Sequence, residues 1–244
     1  MANAATLEAL RARVRALESA GADFGRAVVR LGEPLDHALP WGGLPCRALH
    51  EVSGLAATSL VAAFARHCLA RAGELVWCRD ARLAAELGEL YGPGLARFGI
   101  GPERLIVVRC ADQAEVLWSF EEALRCRGVA CAVGEIGRLD LLASRRLQLA
   151  AEAGGGIGLM LRPEPDPSPN AALTRWRVEP LASVDAMLWR VILWRAKGGA
   201  PGVWPLRWEE RALAFAPIPD AREHRRPSLD MADARPWPRR TADR

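Results

Sequence analysis

In residues 128–161, GVACAVGEIGRLDLLASRRLQLAAEAGGGIGLML, two uninterrupted apolar runs bracket a helical pattern. Gly128 to Val133 and the run 157–161 lack the polar alternation of a half-exposed strand, which marks strands covered on both faces. Between them Asp140 is placed to cap a helix running to about Ala153, and Gly154-Gly155-Gly156 ends it. A strand, a helix and a second buried strand form the repeating unit of a parallel sheet.

The alternation extends back toward the N-terminus. Arg47 to Val52 reads as a strand, and Ala57 to Arg71 as a helix with Leu60, Val61, Phe64, Cys68 and Leu69 on one face. Glu74 to Cys78 is a second strand, Ala81 to Phe98 a helix broken at Gly92-Pro93-Gly94, and Arg104 to Arg109 a third strand. Asp112 can cap the next helix, which reaches Cys126. The order β-α-β-α-β-α-β-α-β predicts an α/β fold, a mostly parallel twisted sheet with helices on both faces.

After residue 162 the pattern changes. The alternating prolines of 163–169 cannot lie in regular structure, because each removes a donor and fixes φ. Beyond them Thr174 to Val178, Trp189 to Arg195, Val203 to Trp208 and Ala212 to Phe215 are strand-like, with Gly198-Gly199 and Pro201-Gly202 as turns, and predict an antiparallel C-terminal extension. Residues 5–19 read as a short amphipathic helix with Leu7, Leu10, Val14 and Leu17 at a/d-like spacing, suited either to packing on its own domain or to docking on a partner. Prolines 219, 227, 236 and 238 amid mixed charge predict a disordered tail over 219–244. The division is therefore an N-terminal helix (1–22), an α/β domain (23–218) and the tail.

Composition bounds the function. The 244 residues are 50% hydrophobic and 25% charged, the make-up of one ordinary globular domain with some irregular sequence. A formal charge of +4 permits polyanion binding without demanding it. Lys197 is the only lysine among 33 basic residues, so chemistry that needs a lysine has one candidate. The six cysteines (46, 68, 78, 110, 126, 131) mostly sit in apolar segments and never form CxxC, which favours buried thiols in a reducing compartment over disulfides or zinc. No apolar run is long enough to span a bilayer and the N-terminus has no signal-peptide core, so a cytoplasmic protein is expected.

Ligands of a parallel sheet bind beyond the carboxyl ends of its strands, which directs attention to Glu51-Val-Ser-Gly-Leu-Ala-Ala-Thr-Ser-Leu-Val61. A phosphate loop needs G-x-x-x-x-G-K-[ST]. Counted from Gly54, Ser59 stands at the second glycine, Leu60 at the lysine and Val61 at the hydroxyl residue, so no nucleotide cofactor is expected. An acid closing the strand at Val133 would be the second ATPase signature, but Gly134 stands there and Glu135 one step later, an offset that favours a solvated or capping glutamate. The four histidines (37, 50, 67, 224) pair with no nucleophile or metal ligand by spacing, and His50 belongs to the first strand. Trp176, Trp189, Trp194, Trp204 and Trp208 lie in strand-like pieces where rings serve as core or cross-strand filler, a reading favoured over base stacking.

The segment LPWGGLPCRALHEVSG (39–54) resembles the approach to the phosphate loop in the RecA-like ATPase core, and VILWRAKGGAPG (191–202) is similar to its late strands. Together these stretches resemble the ImuA family, RecA-like accessory proteins of bacterial SOS mutagenesis, over roughly residues 5–216. That resemblance implies a non-catalytic role in damage-induced translesion DNA synthesis beside ImuB, a Y-family polymerase homologue, and an error-prone DnaE-type polymerase. RecA is a further candidate partner, and Leu7, Leu10, Val14 and Leu17 are the candidate partner-binding residues. Single-stranded DNA binding is an alternative, through Arg162, Arg175, Arg177 and Lys197 near the loop that touches DNA in RecA. A third is an NTPase with a degenerate phosphate loop.

Overall fold

The structure, a computed structural model, describes residues 27–218. The amphipathic segment carrying Leu7, Leu10, Val14 and Leu17, and the tail 219–244, lie outside the described residues.

The strands are β1 (Val28–Val29), β2 (Leu44–Pro45), β3 (Ala48–Ser53), β4 (Glu74–Asp80), β5 (Leu105–Cys110), β6 (Val129–Glu135), β7 (Ile157–Arg162), β8 (Thr174–Pro180), β9 (Leu188–Ala196), β10 (Gly202–Glu209) and β11 (Ala214–Pro217). The helices are α1 (Leu35–Ala38), α2 (Ala57–Cys68), α3 (Ala81–Leu87), α4 (Gly92–Ala96), α5 (Gln113–Arg125) and α6 (Leu141–Gly154). β1 pairs with β2, and the other nine strands form one sheet in the order β11-β10-β9-β8-β3-β7-β6-β4-β5. The six strands from β8 to β5 in that order are mutually parallel, as the apolar runs and the intervening helices require. This is the mixed α/β sheet of a RecA-like core.

Local chemistry explains where the helices start. Asp112 accepts from the amide of Glu115 at 3.0 Å, Asp140 from that of Ala143 at 2.6 Å, and Asp80 from that of Arg82 at 2.8 Å, each meeting a donor the first turn leaves unpaired. The predicted 81–98 helix breaks earlier than expected, at Gly88 with φ +93°. Gly92 and Pro93 instead open α4, where proline's fixed φ and missing N–H suit a first turn.

One element of the predicted extension pairs differently. β8 lies parallel to β3, with Val52 opposite Trp176, so the antiparallel part begins at β9. The strap 163–173 brings the chain from the end of β7 to the start of β8. Its alternating prolines favour extended backbone, so 11 residues suffice without a crossover helix.

Two apolar layers cover the sheet. On one side α2 and α4 meet an aromatic cluster, with Phe64 5.5 Å from Trp176 and Phe98 5.3 Å from Trp208, ring centroid to centroid. Trp176, Trp189 and Trp208 are buried there, in keeping with their reading as filler. On the other side α5 and α6 pack Phe120, Leu124 and Leu147 over Leu49, Ala132 and Met160. Five cysteines are buried and Cys126 is exposed. Burial pushes the Cys78 thiol up to about 12, which keeps it protonated and unreactive.

Candidate functional site

The carboxyl ends of β3, β4, β6 and β7 open on a cleft of about 1180 Å³. Its walls include Thr58 and Ser59 of α2, Arg79 of β4, Glu135 of β6 and Arg162 of β7. This is where a doubly covered parallel sheet presents its loops to a ligand.

The β3–α2 loop is short. Helix α2 begins at Ala57, three residues after Gly54, and the Ala57 amide bonds the Gly54 carbonyl at 3.0 Å. Gly54 has φ +107°, and a Cβ there would stand 2.4 Å from the Val178 carbonyl of β8, so close strand packing accounts for this glycine. Leu60 and Val61 are wholly buried in the core beneath the sheet, whereas Thr58 is exposed.

Glu135 departs from the solvated or capping position read from the sequence. β6 runs on through Gly134 to Glu135, which is only 7% exposed. A Cβ at Gly134 would lie 3.0 Å from the Phe120 ring on the α5 side, and the alternation of the strand turns Glu135 to the opposite face, into the cleft. There Trp77 Nε1 donates to its Oε1 at 2.9 Å, and Arg79 Nε is 3.2 Å from the same oxygen. Arg79, itself buried, donates to the Gly88 carbonyl at 2.9 Å and pairs with Glu89 at 3.2 Å, while Glu89 also pairs with Arg109. Burial raises the Glu135 carboxyl above its ordinary pKa, against the opposing pull of Trp77 and Arg79.

A second cluster sits beside the cleft, around a glutamate that sequence reasoning did not single out. Glu51 of β3 is fully enclosed. Arg175 forks onto its Oε1 through Nε at 2.9 Å and Nη2 at 2.8 Å. Asn170 Nδ2 donates to Oε2 at 2.6 Å, with Arg162 Nη1 3.4 Å away. The two arginines then hold the proline strap: Arg175 donates to the carbonyls of Ser168 and Asp166, and Arg162 to the Asp166 carboxylate at 2.9 Å. The Ser168 amide and the Arg162 guanidinium hold Asp166 down at about 2. The Arg175 guanidinium also lies 4.0 Å from the centroid of the Trp194 ring.

The four candidate DNA-contacting residues are thereby separated. The side chains of Arg162 and Arg175 are 4% and 1% exposed and engaged with Glu51, Asp166 and the strap, which leaves little of either for a phosphate. Arg177 is partly exposed and pairs with Glu179 at 3.0 Å, and Lys197 is exposed just after β9. The signal that could have found Glu51 was a carboxylate inside a strand whose neighbours are all core residues, since such a charge is kept only with partners. His50 next to it is engaged with Thr174 Oγ1 at 2.8 Å and the Pro45 carbonyl at 2.9 Å, a structural role within its strand. Among the described residues no group of three or more His, Cys, Asp or Glu is placed to hold a metal, and no helix is long and apolar enough to cross a membrane.

No family model matches the chain. Two curated relatives do, each called Protein ImuA, from Caulobacter vibrioides strain NA1000 / CB15N and from strain ATCC 19089 / CIP 103742 / CB 15. Each is 37% identical over 219 residues, covering 78% of this chain and 87% of the relative. With a sheet of the expected type and an alignment of that extent, the chain belongs to the ImuA family.

Proposed function

We propose that the protein is a non-catalytic adaptor in damage-induced translesion DNA synthesis, built on a RecA-like core with a degenerate phosphate loop. It binds an ImuB-type Y-family polymerase homologue in the cytoplasm, with RecA as a further candidate partner, and engages an error-prone DnaE-type polymerase indirectly. The ImuA relationship supports the setting in damage-induced mutagenesis. The observation that carries the non-catalytic reading is Leu60: at the position of the phosphate-loop lysine stands a side chain sealed in the core, beyond reach of any ligand in the cleft.

The 1–22 segment is the partner arm in this reading, with Leu7, Leu10, Val14 and Leu17 as its contact stripe, joined to the 23–218 domain and followed by the 219–244 tail. Direct single-stranded DNA binding is the weaker reading, because of its four candidate residues Arg162 and Arg175 are engaged internally and Arg177 is paired with Glu179.

Equilibrium binding of fluorescent ATP and ADP with magnesium, run beside capture of purified ImuB and RecA, tests the proposal. The expected result is capture of partners without nucleotide binding, and loss of that capture in the Leu10→Asp/Leu17→Asp variant. Saturable nucleotide binding would overturn the degenerate loop and direct mutagenesis to Glu135 and Lys197. Capture unchanged in the double variant would remove the arm from the interface.

A further inference from the structure

The cleft at the carboxyl ends of the strands holds its charges unevenly. The three cations in its wall are all committed: Arg79 to Glu135 and Glu89, Arg97 to Glu210, and Arg162 to Glu51 and Asp166. Its four acids are less fully met. Glu86 of α3 and Glu164 of the strap are exposed and have no partner among the described residues, and Glu135 shares the Arg79 guanidinium with Glu89. The free charge of the cleft is therefore negative, which repels a phosphate and attracts a cation.

Two further features of the same cleft are unmet. No side chain caps α2, and the amides of Thr58 and Ser59 in its first turn make no hydrogen bond among the described residues. Leu55 and Tyr91 line the cleft while 69% and 71% exposed, and Leu83 and Met187 continue its apolar wall. A peptide answers all three needs at once. An arginine or lysine side chain compensates the acids, lays its stem along the apolar wall and can place its charge over the Tyr91 ring. The carbonyls beside that residue accept from the two α2 amides, and an apolar neighbour covers Leu55. A phosphate would meet the amides alone, against the acids. A metal ion would meet the acids alone, and among the described residues these are not grouped to hold one.

We infer that the cleft is a docking site for an extended segment of a protein partner, one that carries a basic side chain flanked by apolar residues. This rests on the adaptor reading, since it requires a cleft free of nucleotide. Isothermal titration of the full chain with the capped peptide Ac-Ala-Leu-Arg-Leu-Ala-NH2 reads it, beside the same peptide with Gln in place of Arg. The arginine peptide is expected to bind one site with a Kd on the order of 1 mM or tighter, and the Gln peptide about tenfold more weakly. Glu135→Gln should weaken the arginine peptide about tenfold, and Glu86→Gln with Glu164→Gln about threefold, with melting curves as the folding control. No binding of the arginine peptide, equal binding of the Gln peptide, or binding indifferent to both sets of variants would each overturn the inference. Spermidine binding as tightly as the arginine peptide would overturn it too, in favour of a small polycation. A separate titration with ATP and magnesium tells the two levels apart: nucleotide binding overturns the adaptor reading and this inference with it, whereas failure of both ligands to bind overturns this inference alone.

Discussion

Two buried glutamates lie on β3 and β6, with β7 between them, and are treated in opposite ways. Glu51 receives the fork of Arg175, the amide of Asn170 and the approach of Arg162, and those arginines tie down the proline strap. Glu135 receives one indole N–H and one arginine shared with Glu89, and it faces the open cleft. A buried charge with every lone pair met is a structural pin, whereas one met in part keeps an altered proton affinity and stays responsive to what enters beside it. The pin joins β3, β7 and β8; the partly met carboxylate is the feature of the cleft to watch.

The sharpest way to break this contrast is to remove a partner of Glu51. Arg175→Met leaves an enclosed carboxylate without its fork and frees the strap, and should cost about 3–5 kcal/mol in chemical denaturation. A loss below about 1 kcal/mol would mean that Asn170 and Arg162 suffice. Glu135→Gln should fall within about 1 kcal/mol of wild type at neutral pH, since it keeps an acceptor for Trp77 and sheds a charge that burial disfavours.

The pH dependence sharpens the same contrast, because the two regions carry shifts of opposite sign. Asp166, in the pinned network, is depressed from 3.8 to about 2, so its contribution is present above 3.8 and lost as pH falls from there toward 2. Glu135 is raised, so the folded state holds its proton more tightly than the unfolded chain and stability declines as pH rises past 4.5 until that carboxyl has ionised. Melting curves of Asp166→Asn and Glu135→Gln should each flatten their own limb and leave the other unchanged. The smallest effect belongs to Arg109→Ala: its pair with Glu89 is exposed on both sides, so the cost should be under about 1 kcal/mol and shrink further in high salt.

Much of the fold was legible because its signals are local. Uninterrupted apolar runs marked the buried strands β6 and β7, and Asp112 and Asp140 marked helix starts through bonds to amides three residues away. The broken helix shows the limit of such reading: Gly88 and Gly92-Pro93 are both turn signals locally, and the helix ends at the first, where Arg79 holds the Gly88 carbonyl. β8 was recognised as a strand but not as a parallel neighbour of β3, because its direction depends on the strap above it and that strap is held by Glu51 through partners more than 100 residues apart in sequence. The candidate site was less legible still. Arg162 and Arg175 read as surface cations, and Glu135 as a solvated acid, since composition cannot tell a free charge from one sealed against its counter-ion.

What the sequence determined by itself was the α/β class, the order of the elements and the lack of any lysine before Lys197, because each rests on residue type and spacing along the chain. Only the tertiary structure decided which strands are neighbours and which charges are consumed in the interior. Those outcomes depend on burial, and burial is set by segments distant in sequence closing over one another.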